Sequence, residues 1–119
     1  MVINAFLTQI ILFVKDMPRA VHFYHEILGL VIIHPNEPVD FSQTMWVELD
    51  AGTCSLALHG GTKESPGDEH NLVFKVDNLQ AARQALLAAG VEIGEIRILE
   101  DGEPVASGVD PEGHHFSIR

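Results

Sequence analysis

The sequence has 119 residues, 46 % hydrophobic and 20 % charged, which is enough for one domain with a real core. Its formal net charge of −10 argues against nucleic acid or an anionic membrane as partner, because both require clustered Lys and Arg. Cys54 is the sole cysteine, which rules out an intrachain disulfide and suits a reducing cytosol.

Residues 5–14 are apolar, but Thr8 and Gln9 interrupt them and no basic cluster precedes them. The stretch is too short to span a bilayer, and no small-residue cleavage pattern follows. It reads as the first strand, 9–14, of a cytoplasmic protein. Asp16 then offers an N-cap carboxylate, and Pro18 falls in the first helical turn, where its missing N–H costs nothing. Met17, Val21, Tyr24 and Leu28 recur at helical spacing, and Gly29 ends the helix. Strands are expected at 31–34, 44–49 and 54–59, the last two joined by a turn at Asp50-Ala51-Gly52. Residues 60–69 are polar and rich in turn formers, and they read as a loop between two halves.

The second half repeats the plan. A strand at 71–76 precedes a helix capped by Asp77 or Asn78 and running to Ala89, with Leu79, Ala82, Leu86 and Ala89 inward. Gly90 terminates it. Strands follow at 92–99, 104–109 and 115–118, with turns at Asp101-Gly102 and Pro111-Glu112-Gly113. The order is thus βαβββ twice, and the repeat is visible in residues. Phe13-Val14-Lys15-Asp16 echoes Phe74-Lys75-Val76-Asp77, and Asp16 to Gly29 is as long as Asp77 to Gly90. Leu56-Ala57-Leu58 likewise echoes Phe116-Ser117-Ile118. A sheet of four strands with one helix buries a single face. Two such sheets, curved and mixed, would enclose a cleft. The fold class is α+β, one domain over 1–119, with module one at 1–60, a loop at 60–70 and module two at 71–119.

The ordered set of Val14-Lys15-Asp16, Phe23-Tyr24, Ile27-Leu28-Gly29, Val76-Asp77, Ala89-Gly90-Val91 and Asp110-Pro111-Glu112-Gly113 resembles the vicinal oxygen chelate superfamily. That superfamily holds glyoxalases, extradiol dioxygenases and bleomycin-resistance proteins. The resemblance implies paired βαβββ modules around a cleft, often in a homodimer. In metal-using members it implies four ligand positions, which fall here on Gln9, Ala57, Asn71 and Ser117. Ala57 has no donor, and the other three are neutral amides or a hydroxyl, whereas divalent transition metals favour imidazole, thiolate or carboxylate. No cofactor is therefore expected, a divalent metal being the alternative.

Side chains alternate across a strand. If Ala57 and Ser117 face the cleft, so do Gln9, Ile11, Phe13, Ser55, His59, Asn71, Val73, Lys75, His115 and Arg119. His70 and His114 are out of phase and read as solvent-facing. Cys54, also out of phase, reads as a buried structural thiol. Trp46 either packs in the core or stacks on a flat ligand, and the phase of Glu48 is open. The expected ligand site comprises Gln9, Ile11, Phe13, Trp46, Ala57, His59, Asn71, Val73, His115 and Ser117, mostly apolar with a few directed polar groups. The expected function is metal-independent binding of a small organic molecule, as in the binding-only branch of the superfamily. The alternative is a glyoxalase-like lyase or isomerase, or a dioxygenase, using His59 and His115 as acid–base groups or rebuilt ligands.

Overall fold

The computed structural model describes residues 9–61, 71–100 and 102–119, with Asn71 by its backbone. Residues 5–8, His70, Asp101 and all of the expected loop beyond Gly61 lie outside the described residues. The chain divides into two compact units, Met1–Glu64 and Ser65–Arg119.

The first unit runs β1 (Gln9–Phe13), α1 (Met17–Val21), a π-helical turn (His22–Ile27), β2 (Val31–His34), a short 3₁₀ turn (Phe41–Gln43), β3 (Trp46–Asp50) and β4 (Ser55–His59). Its sheet has the order β1-β4-β3-β2, with β1 parallel to β4 and the other pairs antiparallel. Asp16 caps α1 by accepting a hydrogen bond from the Arg19 N–H at 3.1 Å. One face of the sheet meets the helix. Leu12, Val14, Val47, Leu49, Leu56 and Leu58 are buried there with Met17, Ala20, Val21, Phe23 and Tyr24. Each of the larger aliphatic and aromatic side chains stabilises the unit by roughly 1.5–3 kcal/mol relative to exposure, and Ala20 by less. The 3₁₀ turn opens on Asp40, whose Oδ1 accepts from the Ser42 hydroxyl at 2.6 Å and the Ser42 N–H at 3.0 Å. These two bonds, the hydroxyl first, hold the exposed Asp40 carboxyl below its ordinary value.

The second unit runs β5 (Asn71–Phe74), α2 (Leu79–Ala88), β6 (Glu92–Ile93), β7 (Arg97–Ile98), β8 (Pro104–Val109) and β9 (His115–Ile118). Its main path is β5-β9-β8-β6, with β7 also paired to β8. The strand expected at 92–99 is two pieces, because the pairing with β8 slips by one residue between Ile93–Gly108 and Arg97–Val105. A slip of the same size interrupts β2 between Ile32 and His34, so the two units bulge at equivalent places. Gly108 is sterically required: a Cβ there would overlap the Glu92 carbonyl oxygen and sit 3.1 Å from the Ile93 Cα. Leu86 is the buried residue of α2, which packs on β6 and β8, and Ile93, Val105, Ala106, Phe116 and Ile118 are buried in the same unit. Ala89, expected inward, is exposed at the helix end.

The repeat is real, but its register differs by one residue from the echo in the sequence. Asn78, not Asp77, caps α2, accepting from the Ala81 N–H at 3.0 Å. The Val14 N–H donates to the His59 carbonyl, and its counterpart is Val76 N–H to the Arg119 carbonyl. Val14 therefore matches Val76, and Asp16 matches Asn78. Both helices end on a glycine of positive φ, Gly29 at 82° and Gly90 at 80°. Counted from its true cap, the first helix is one residue longer than the second, not equal to it. The surplus residue is taken up by the π-helical turn, where the Leu28 N–H reaches the Phe23 carbonyl at 2.9 Å.

Two local environments also depart from expectation. His114 is buried rather than solvent-facing, because its Nδ1 lies 2.8 Å from Oδ2 of the buried Asp110. Asp110 Oδ1 meanwhile accepts from the Glu112 and His114 N–H groups, both at 2.8 Å, and so pins the closing turn. Cys54 is half-buried in the turn before β4, not a buried strand residue.

Candidate functional site

Strand register decides which face each predicted residue occupies. Across β1 and β4, Gln9 lies opposite Ser55, Ile11 opposite Ala57 and Phe13 opposite His59. Across β3 and β4, Trp46 lies opposite His59 and Glu48 opposite Ala57. The intervening residues are those packed on the helix. Gln9, Ile11, Phe13, Trp46, Ala57 and His59 thus share the other face of the first sheet.

Register settles the question of Trp46, which stands with His59 and away from the helix. His59 sits between two aromatic rings, its centroid 5.2 Å from Phe13 and 5.9 Å from Trp46, the latter nearly edge-on. Its Nδ1 is 2.7 Å from the Gly60 carbonyl oxygen. A carbonyl only accepts, so Nδ1 carries the hydrogen and Nε2 of the neutral ring keeps its lone pair. Ile11 and Phe13 are 45 % and 48 % exposed, large apolar groups that their own unit leaves open. Gln9 Nε2 donates to Ser55 Oγ at 3.1 Å. Ala57 is fully buried and forms the floor of this face rather than a contact surface.

Glu48, whose phase the sequence left open, joins this face at half burial, with no hydrogen bond or ion pair among the described residues. The alternation in β3 carried the signal, since Val47 and Leu49 are the apolar partners of the core and Trp46 and Glu48 their counterparts outside it.

In the second unit, Asn71 lies opposite His115, and Val73 opposite Ser117. Val73 is 53 % exposed and His115 is exposed, but Ser117 is buried. Ser117 Oγ lies 2.9 Å from Ser107 Oγ on β8, a partner that sequence reasoning did not single out. His59 and His115 belong to different units. Two surface depressions, about 500 Å³ beside α2 near Asn78 and Arg83 and about 440 Å³ beside the π-helical turn, include none of the predicted site residues.

The model of the Glyoxalase/Bleomycin resistance protein/Dioxygenase superfamily matches residues 6–118. The chain belongs to that superfamily. No curated protein sequence matches it as a relative. Among solved structures, TnmS3, an antibiotic binding protein from Streptomyces sp. CB03234, superposes with a TM-score of 0.78 at 19% identity, covering 100% of this chain and 98% of that one. The glyoxalase family protein from Enterococcus faecalis gives 0.76 at 18% identity, over 97% of each chain. Lactoylglutathione lyase from Agrobacterium tumefaciens gives 0.73 at 16% identity, over 97% of this chain and 92% of that one. At such identities the likeness is one of fold, and it bears out the α+β, twice-βαβββ reading for this superfamily member. No helix among the described residues is long and apolar enough to cross a membrane.

Proposed function

We propose that this superfamily member is a metal-independent small-molecule binding protein whose ligand stacks on the open face of the first sheet. The carrying observation is the row Phe13, His59 and Trp46, three rings side by side on a face that their own unit leaves accessible. A flat organic molecule would gain apolar burial from Ile11, Phe13 and Trp46. It would take its orientation from His59 Nε2, Glu48 and the Gln9–Ser55 pair. That TnmS3 binds an antibiotic on the same fold supports the class of ligand, not its identity.

The donor set does not fit a divalent metal. Of the four inherited positions, Ala57 offers nothing, Gln9 and Asn71 are neutral amides, and the Ser117 hydroxyl is paired with that of Ser107. Among the described residues, no three His, Cys, Asp or Glu side chains gather as a metal-holding group. A cytoplasmic homodimer is the setting we assign to this activity.

Trp46 is the only tryptophan, so its fluorescence reports on this face alone. Screening planar organic molecules should find one that changes Trp46 emission saturably. Phe13→Ala should weaken that ligand about tenfold or more, the loss of roughly 1.4 kcal/mol. Chelator should alter neither affinity nor melting temperature. Unchanged affinity in Phe13→Ala, or binding that vanishes with chelator, would refute the proposal.

A second reading has one observation behind it: the Nδ1 bond to Gly60 leaves His59 poised as an acid–base group. It predicts that the protein exchanges an acidic C–H of its ligand in heavy water and that His59→Gln stops the exchange without abolishing binding.

A further inference from the structure

Both units build one helix between the first two strands, yet only the first helix carries a surplus residue. Counted from the caps, Tyr24 corresponds to Leu86, and both are buried. Counted back from the terminal glycines, His25 does instead. The insertion therefore falls between Tyr24 and Gly29, in the π-helical turn. Such turns widen the helix and re-aim the side chains beside them, and they are frequent at functional sites. Here the turn borders a depression of about 440 Å³, within the range of small-molecule sites, roughly 300–1,000 Å³.

The walls of that depression have a consistent chemistry. Val31, Pro35 and Phe41 supply apolar surface, and Val31 is 64 % exposed. His25, Glu26 and Glu37 supply the charged and titratable groups, and no lysine or arginine lines it. His25 Nδ1 donates to the Leu30 carbonyl at 2.7 Å across the helix end, which fixes the ring and leaves Nε2 of the neutral form as an acceptor. Glu26 uses Oε2 on His22 Nδ1 at 2.9 Å and keeps Oε1. Glu37 makes no hydrogen bond or ion pair among the described residues. Every directional polar side-chain group named so far accepts, and two are carboxylates; Asn36 adds one neutral amide, and the rest of the wall is apolar.

We infer that this depression is a second ligand site, separate from the open sheet face, and that it takes a small protonated amine with an apolar body. The ammonium would lie between Glu26 and Glu37 with one N–H toward His25, and the body against Val31, Pro35 and Phe41. Charge complementarity sets the class, because a neutral molecule of equal shape would leave both carboxylates unused and an anion would be repelled.

The probes are phenethylamine, cationic at neutral pH, and phenethyl alcohol, its neutral counterpart, followed by amide NMR on the full chain. Saturable shifts of the His25, Val31 and Phe41 amides are expected with the amine. The alcohol should bind at least about tenfold more weakly. Glu37→Gln, an exposed substitution that leaves the fold intact, should weaken the amine several-fold, and the Trp46 indole signal should stay in place. Equal affinity for the two probes, no saturable shift, or shifts centred on Trp46 would each overturn the inference. None of these outcomes except the last touches the sheet-face site, so the two proposals fail separately.

Discussion

Replacing Gly108 by alanine tests the register of the second sheet. The added Cβ would overlap the Glu92 carbonyl oxygen and lie 3.1 and 3.2 Å from Ile93 Cα and Cβ. These are main-chain atoms of β6 or atoms fixed to it, so no flexible side chain can swing aside. The strands must part, and overpacking of this kind costs about 1–3 kcal/mol. Urea slopes for small proteins are about 1–3 kcal/mol per M, so the unfolding midpoint should fall by roughly 1 M. The melting temperature should drop by about 5 °C or more. Gly94→Ala is the internal control: its Cβ would meet only the Ser107 carbonyl oxygen at 3.5 Å, an ordinary contact. That variant should be neutral or gain up to about 1 kcal/mol through the unfolded chain. Circular dichroism melts and urea titrations of both proteins decide the matter. Equal stability of the two variants would refute the pairing of Ile93 with Gly108.

Asn78→Ala should destabilise by about 1 kcal/mol and Asp77→Ala should not, since only Asn78 holds a helix N–H; urea midpoints distinguish them. Leu58→Ala, in the fully buried core, should cost about 2–5 kcal/mol, whereas Ile11→Ala, 45 % exposed, should cost far less in the same assay. By carboxyl NMR, Asp40 should titrate below the ordinary aspartate range, and Ser42→Ala should raise it. Its sign is that of a depressed carboxylate: the contribution is full above the unfolded value and fades as pH falls through the folded one.

Much of the fold was legible because local chemistry and periodicity agreed. Asp16 and Pro18 marked one helix start, β2 came out with its observed bounds, and βαβββ order followed from turn residues between alternating runs. The π-helical turn was not legible. The four-residue echo around Phe74 tied the two halves together one position early, and equal spans to Gly29 and Gly90 hid the surplus residue. The hydrogen bonds of Val14 and Val76 to the strand ends, together with the caps Asp16 and Asn78, fix the offset. The site was half legible for a related reason. The phase of β1 and β4 followed from alternation, but Trp46 needed its partner His59 across the ladder before its face was known. His114 misled because a residue beside a turn is usually wet, and its burial depends on a carboxylate four positions earlier.

The matching bulges also bear on how the protein stays apart from its neighbours. β2 is an edge strand with Val31 and Ile33 exposed, a β-branched row that would otherwise invite another chain to add a strand. The slip between Ile32 and His34 breaks the spacing of donors and acceptors along that edge, and Pro35 follows at once with no N–H to offer. The sheet thus keeps an apolar rim without a template for growth. In the second unit the same device sits on the β6 and β7 side, where Ile98 is 68 % exposed. Duplication of the module has therefore duplicated a safeguard against aggregation along with the fold.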